Sequence, residues 1–144
     1  MKFLTLAAAV LFASTSLSSC IVLFGAGAGY VISQEVLPGS VHQAQVMVDV
    51  DTVWAQAQET MHDMKIGDFE TTNYPRRIET QVDGADVEVV VEAYDLNRTI
   101  IKVTAKRYLT ADNDLAELIL NDLVNDLVND LVNDLVNDLV NDLE

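Results

Sequence analysis

The sequence is poor in cysteine, proline, aromatic residues and basic residues, with one cysteine, two prolines, and eight Lys or Arg against 23 acids in 144 residues. A single cysteine cannot form a disulfide within the chain, so packing must stabilise the fold. The net charge of -15 disfavours nucleic acids and anionic surfaces as partners. No uninterrupted apolar run reaches the roughly 20 residues of a membrane-spanning helix.

The N-terminus has the layout of a bacterial lipoprotein signal peptide. Lys2 supplies a positive charge, and residues 3–13 form an apolar run that is too short to span a bilayer. Leu17-Ser18-Ser19-Cys20 then resembles a lipobox, in which two small residues precede a thiol that accepts a diacylglycerol. We therefore expect residues 1–19 to be a removed signal peptide and Cys20 to be lipidated, rather than a buried free cysteine or a disulfide partner.

The predicted processing changes both the charge and the location of the chain. Removal of residues 1–19 takes away Lys2 and no acid, so the mature chain has a net charge of -16. Ile21 follows the cysteine at a position where an aspartate would favour retention in the inner membrane. We expect an outer-membrane anchor with the protein facing the periplasm.

Residues 20–40 are predicted to be a lipidated, Gly/Ala-rich apolar tether. The run from Ile21 to Ile32 carries no charge and is again too short to cross a membrane. It either lies in the lipid interface or offers a small-residue surface on which copies of the protein pack. The pattern Gly25-x-Gly27-x-Gly29 lacks the spacing and the preceding strand of a dinucleotide-binding loop.

A small α+β domain is predicted over residues 41–120, with the order β-α-β-β-β-α. A short strand, Gln45–Val48, precedes a helix that Asp49 or Asp51 caps and that Gly67 ends. The apolar residues of this helix recur at helical spacing and make Trp54 a core residue: Val50, Val53, Trp54, Ala57, Met61 and Met64.

Three alternating segments predict an antiparallel meander that packs against the Trp54 helix. They are Arg77–Val82, Ala85–Tyr94 and Arg98–Tyr108, and Asp83-Gly84 is a favoured two-residue hairpin turn. The acidic outer face of the second strand is expected to lie beside the basic outer face of the third.

The C-terminus repeats Asn-Asp-Leu-Val five times from Asn121 to Val140. Asp112 or Asn113 is expected to cap a helix that enters this repeat. A period of four against 3.6 residues per turn rotates the apolar stripe by about 40° per unit, so one straight partner cannot cover it. The predicted repeat tail is residues 121–144, in which we expect the first units to complete the domain's last helix and the later ones to form a projecting helix or frayed tail.

Several of these features resemble a family of short Gram-negative lipoproteins known as a domain of unknown function. The resemblance depends on Cys20, on the run from Gly25 to Val31, and on Asp51-Thr52-Val53-Trp54-Ala55. It implies an envelope location and a β-α-β-β-β-α domain to about residue 120. It implies no activity, and the repeat departs from the family pattern.

The sequence offers little catalytic chemistry, and we expect neither an enzyme nor a bound cofactor or metal. His42, His62 and Asp63 form no compact metal-ligand motif, and both histidines are expected at the surface or the domain boundary. Arg76 and Arg77 are the candidates for anion binding, provided that they do not point to opposite faces of a strand.

These observations predict a non-catalytic interaction or structural module that is anchored to a membrane by its lipid and binds an envelope protein. The alternative is a periplasmic lipoprotein that binds a small molecule or an anion.

Overall fold

A computed structural model describes residues 31–64 and 68–142, which form seven strands and two helices. The elements, in chain order, are β1 (Val31–Leu37), β2 (Val41–Val46), α1 (Val50–Asp63), β3 (Glu70–Asn73), β4 (Arg76–Val82), β5 (Ala85–Ala93), β6 (Thr99–Arg107), β7 (Thr110–Ala111) and α2 (Asn113–Asn141). The α+β class that the sequence predicts is confirmed.

The strands form one antiparallel sheet in the order β1-β2-β6-β5-β4-β3, with the short β7 also paired to β6. The predicted meander corresponds to β4, β5 and β6. Asp83 and Gly84 both have positive φ in the turn between β4 and β5, as a two-residue hairpin requires. The β1–β2 hairpin and the polar strand β3 widen the sheet on its two sides.

The predicted boundary between tether and domain at residue 40 is wrong, because β1 pairs with β2 along its length. Residues 38–40 form the hairpin turn between these strands, and Gly39 and Ser40 adopt the positive φ that a tight turn uses. The predicted strand Gln45–Val48 also lies too late in the chain, because the corresponding strand β2 runs from Val41 to Val46.

Helix α1 follows the predicted pattern. The Asp49 carboxylate accepts hydrogen bonds from the backbone N–H groups of Asp51 and Thr52, and so caps the N-terminus. These bonds, with the Thr52 backbone contributing most, lower the pKa of Asp49. Trp54 is buried as predicted, and α1 ends at Asp63. The predicted stop at Gly67 lies outside the described residues.

The core lies between one face of the sheet and both helices. Strand β5 alternates, with Val87, Val89 and Val91 buried in the core and Glu88 and Glu92 on the other face. Buried residues of α1 and α2 join the same cluster. The opposite face of the sheet, here called the outer face, carries most of the charged residues of the strands.

Helix α2 crosses the predicted boundary at residue 120, which is therefore wrong as a domain limit. Leu123, Val124 and Leu127 belong to the repeat, yet they are buried in the core. Leu131 packs partly against the core, and every residue from 133 to 142 is exposed. The first repeat units thus complete the domain and the later ones project as an exposed helix.

Candidate functional site

The predicted lipidation site lies outside the described residues. It consists of Leu17, Ser18, Ser19 and Cys20, and the structure describes the chain only from Val31 onward. Signal cleavage, acylation and the two interpretations of the apolar segment after Cys20 therefore stay predictions.

Arg76 lies on the face of β4 that looks toward the helices. Its guanidinium group donates to the carboxylate of Asp51 in the first turn of α1. Asn73, its register partner on β3, accepts a hydrogen bond of 3.3 Å from the Trp54 indole nitrogen. Arg76 and Asn73 therefore join the β3–β4 hairpin to the first turns of α1.

Arg77 is next in the same strand and lies on the outer face. Its Nε is 3.4 Å from a Glu88 carboxylate oxygen, and its Nη1 is 3.5 Å from a Glu79 oxygen. Since neighbouring residues of a strand point to opposite faces, the two guanidinium groups do not converge. Each is paired with acids of the same domain, so the structure does not join Arg76 and Arg77 in one anion clamp.

The histidines occupy two different environments. His42 is 5% exposed, so its expected place at the surface or boundary is wrong; it lies within the sheet because β2 begins at Val41. Its Nε2 has no hydrogen-bond partner within residues 31–64 and 68–142. His62 is exposed at the end of α1, 3.4 Å from Asp63. No group of three or more potential metal ligands occurs in the part of the chain that the structure describes.

The outer face of the sheet carries an acidic concavity of about 690 Å³. Glu70, Glu79 and Glu88 form a row across three neighbouring strands, because Glu79 is the register partner of both other residues. The charged lining consists of Asp68, Glu70, Glu79, Asp86, Glu88 and Lys106. This excess of carboxylates repels anionic ligands and favours cationic groups.

The predicted charge pairing between β5 and β6 is confirmed on the same face. Lys102 on β6 donates to a Glu92 carboxylate oxygen on β5 at 2.6 Å, and Asp86 is the register partner of Lys106. Such exposed pairs select strand neighbours and contribute roughly 0.2–1 kcal/mol each.

Large apolar and aromatic side chains are exposed in the turns, which the sequence analysis did not predict. Tyr74 is 91% exposed between β3 and β4, and Leu96 is 90% exposed between β5 and β6. In the latter turn Arg98 lies 4.4 Å from the centre of the Tyr94 ring and donates to Asp95 at 2.6 Å. The hydrogen bond from Arg98 is the main cause of a lowered pKa at Asp95. The sequence signal for these exposed side chains is an aliphatic or aromatic residue inside an otherwise polar turn.

Comparison with protein-family models and with curated proteins gave no match. The resemblance to the lipoprotein family therefore stays a prediction. Within the described part of the chain, neither helix combines the length and the apolar character of a membrane span.

Proposed function

We propose that the protein is a lipid-anchored lipoprotein of the bacterial envelope, whose α+β domain is a non-catalytic interaction or structural module. The observation that carries this proposal is Leu17-Ser18-Ser19-Cys20, at the end of a short apolar N-terminal segment. Two small residues before a thiol at this position satisfy the needs of signal cleavage and of lipid transfer. Ile21 favours the outer membrane, with the domain in the periplasm.

The described domain supports a binding role more than a catalytic one. Arg76 and Arg77 are paired with acids, and His62 has only its neighbour Asp63. The outer face, by contrast, presents a broad charged surface around the acidic concavity. Its carboxylates favour a protein partner with basic groups, because complementary charge selects and orients partners.

We do not extend the proposal to anion binding. The two candidate arginines lie on opposite faces of β4, and each already pairs with carboxylates. An incoming anion would have to displace those acids in a strongly acidic protein.

The proposal is tested by substituting Cys20→Ser and comparing it with Ser19→Gly, which keeps a small residue before the thiol. Wild type and Ser19→Gly should fractionate with membranes and have the mass of a chain that begins at a lipidated Cys20. Cys20→Ser should keep its leader and lack the lipid, because the hydroxyl does not replace the thiol as the acceptor of the diacylglyceryl group. A wild-type protein with Met1 in place and a free thiol contradicts the proposal.

A further inference from the structure

One end of the sheet gathers the start of the described chain and three connections. Val31 pairs with Val46, Val46 with Thr99, and Thr99 with Ala93. The β2–α1 connection begins directly after Val46 in the chain, and the β5–β6 turn joins Ala93 to Thr99. On the next strands Val91 pairs with Arg76, which flanks the β3–β4 turn. We call this the anchor end, defined by Val31 and residues 47–49, 74–75 and 94–98.

The anchor end exposes a cluster of amphipathic and apolar side chains. Tyr74 and Leu96 are almost fully exposed, and more than half of the surface of Tyr94 and of Met47 is exposed. Tyrosine is enriched where membrane meets water, because its ring is apolar and its hydroxyl is polar. Aliphatic side chains beside it gain from leaving water for the upper part of the acyl region.

The acids at this end are compensated locally, although the whole chain is strongly acidic. Asp51 is paired with Arg76, and Asp95 accepts a hydrogen bond of 2.6 Å from Arg98. The Asp49 carboxylate accepts backbone hydrogen bonds from the first turn of α1. Approach to a lipid surface therefore brings few uncompensated carboxylates to the headgroups at this end.

The length of chain before β1 keeps this end near the anchor. Ten residues lie between Cys20 and Val31. Even fully extended they span only about 35 Å. The exposed turns of α2 fit a lipid surface less well, because each repeat unit carries an aspartate and the helix contains no basic residue.

We propose that the anchor end docks on the phospholipid–water interface of the membrane that holds the acylated Cys20. This inference rests on the proposed lipid anchor. Docking inserts Leu96 and the rings of Tyr74 and Tyr94 among the headgroups. It orients the domain so that the Tyr108-Leu109 turn, at the opposite end of β6, faces away from the membrane.

The orientation is tested with the full lipidated chain in vesicles of phosphatidylethanolamine and phosphatidylglycerol. A reporter cysteine replaces Leu96 or Leu109, which are 90% and 100% exposed in turns at opposite ends of β6. Each carries an environment-sensitive fluorophore, and lipids labelled with a quencher near the headgroup are added. We expect severalfold stronger quenching at position 96 than at position 109.

A second reporter at Met47→Cys identifies the side chains that dock the domain on the membrane. Leu96→Asp should reduce quenching at position 47, because a charge in that turn opposes insertion, whereas Leu109→Asp should leave it unchanged. Equal quenching at positions 96 and 109 in an acylated protein overturns the docking inference and leaves the proposed lipid anchor standing. Cross-linking of two copies through position 96 also overturns it, since a second copy would then cover this end. Mass spectrometry that finds Cys20 unmodified overturns the proposed function as well.

Discussion

Leu127 and Leu139 allow the contribution of the repeat to stability to be measured, with one leucine serving as a matched control for the other. Both are the leucine of an Asn-Asp-Leu-Val unit and have the same close neighbours along the helix. Leu127 is 2% exposed within the core, whereas Leu139 is 59% exposed. Substitution by alanine changes the same chemical groups at both positions, so any difference in stability reports on packing.

The expected magnitudes follow from burial. Leu127→Ala removes a buried side chain and leaves a cavity, which costs about 2–5 kcal/mol. Leu139→Ala removes little buried surface and keeps a residue of high helix propensity, so its effect should stay within about 0.5 kcal/mol. With a urea dependence of about 2 kcal/mol/M, the middle of the usual range, the midpoint should fall by about 1–2.5 M for Leu127→Ala alone.

Urea unfolding of the purified full chain in detergent provides the assay. Trp54 is the only tryptophan and is buried against the sheet, so its fluorescence follows the core. Far-UV circular dichroism should give the same midpoint if unfolding is two-state. Equal midpoints for the two variants would refute the reasoning, since they would show that the repeat contributes nothing to the core.

Four other outcomes are expected in the same assay. Asp49→Ala should cost about 1 kcal/mol at pH 7 through loss of the cap. Because folding lowers the pKa of Asp49 from its ordinary value of 3.8, this difference should be full well above that value and fade as the pH falls through the lowered pKa. Thr99→Val should cost about 1–3 kcal/mol, because the buried Val48 carbonyl loses its 2.7 Å hydrogen bond. His42→Leu should leave stability unchanged or raise it, because the buried Nε2 has no hydrogen-bond partner to lose among the described residues. Deletion of residues 133–140 should shift the free energy of unfolding by less than about 0.5 kcal/mol, because all of them are exposed.

Local patterns predicted the elements that carry strong periodicity. The helical stripe around Trp54, the Asp49 cap and the Asp83-Gly84 turn each follow from a few neighbouring residues, and the structure has all three. The polar strand β3 could not be predicted this way, because all four of its residues are exposed and it is held by pairing with β4. Such pairing depends on a distant partner and leaves no alternation in the sequence.

The candidate site was less predictable because it depends on strand order. Neighbouring side chains of a regular strand point to opposite faces, and β4 separates Arg76 from Arg77 in this way by starting at Arg76. The carboxylates that form ion pairs with these arginines come from α1, β4 and β5, which no local motif connects. The exposed turns of the anchor end likewise share one end of the molecule only because of the sheet register.

The burial of the repeat shows why identical sequence units have different roles. Rotation of the apolar stripe by about 40° per unit would turn Leu135 away from the core, but it would also bring an Asn or Asp row toward it. No residue from 133 to 142 is buried, so rotation alone does not explain the change. The helix, about 43 Å long from its 29 residues, has instead run past the core. Because the units are identical, gain or loss of one copy changes the length of the exposed end and keeps the same residue types at Leu123 and Leu127.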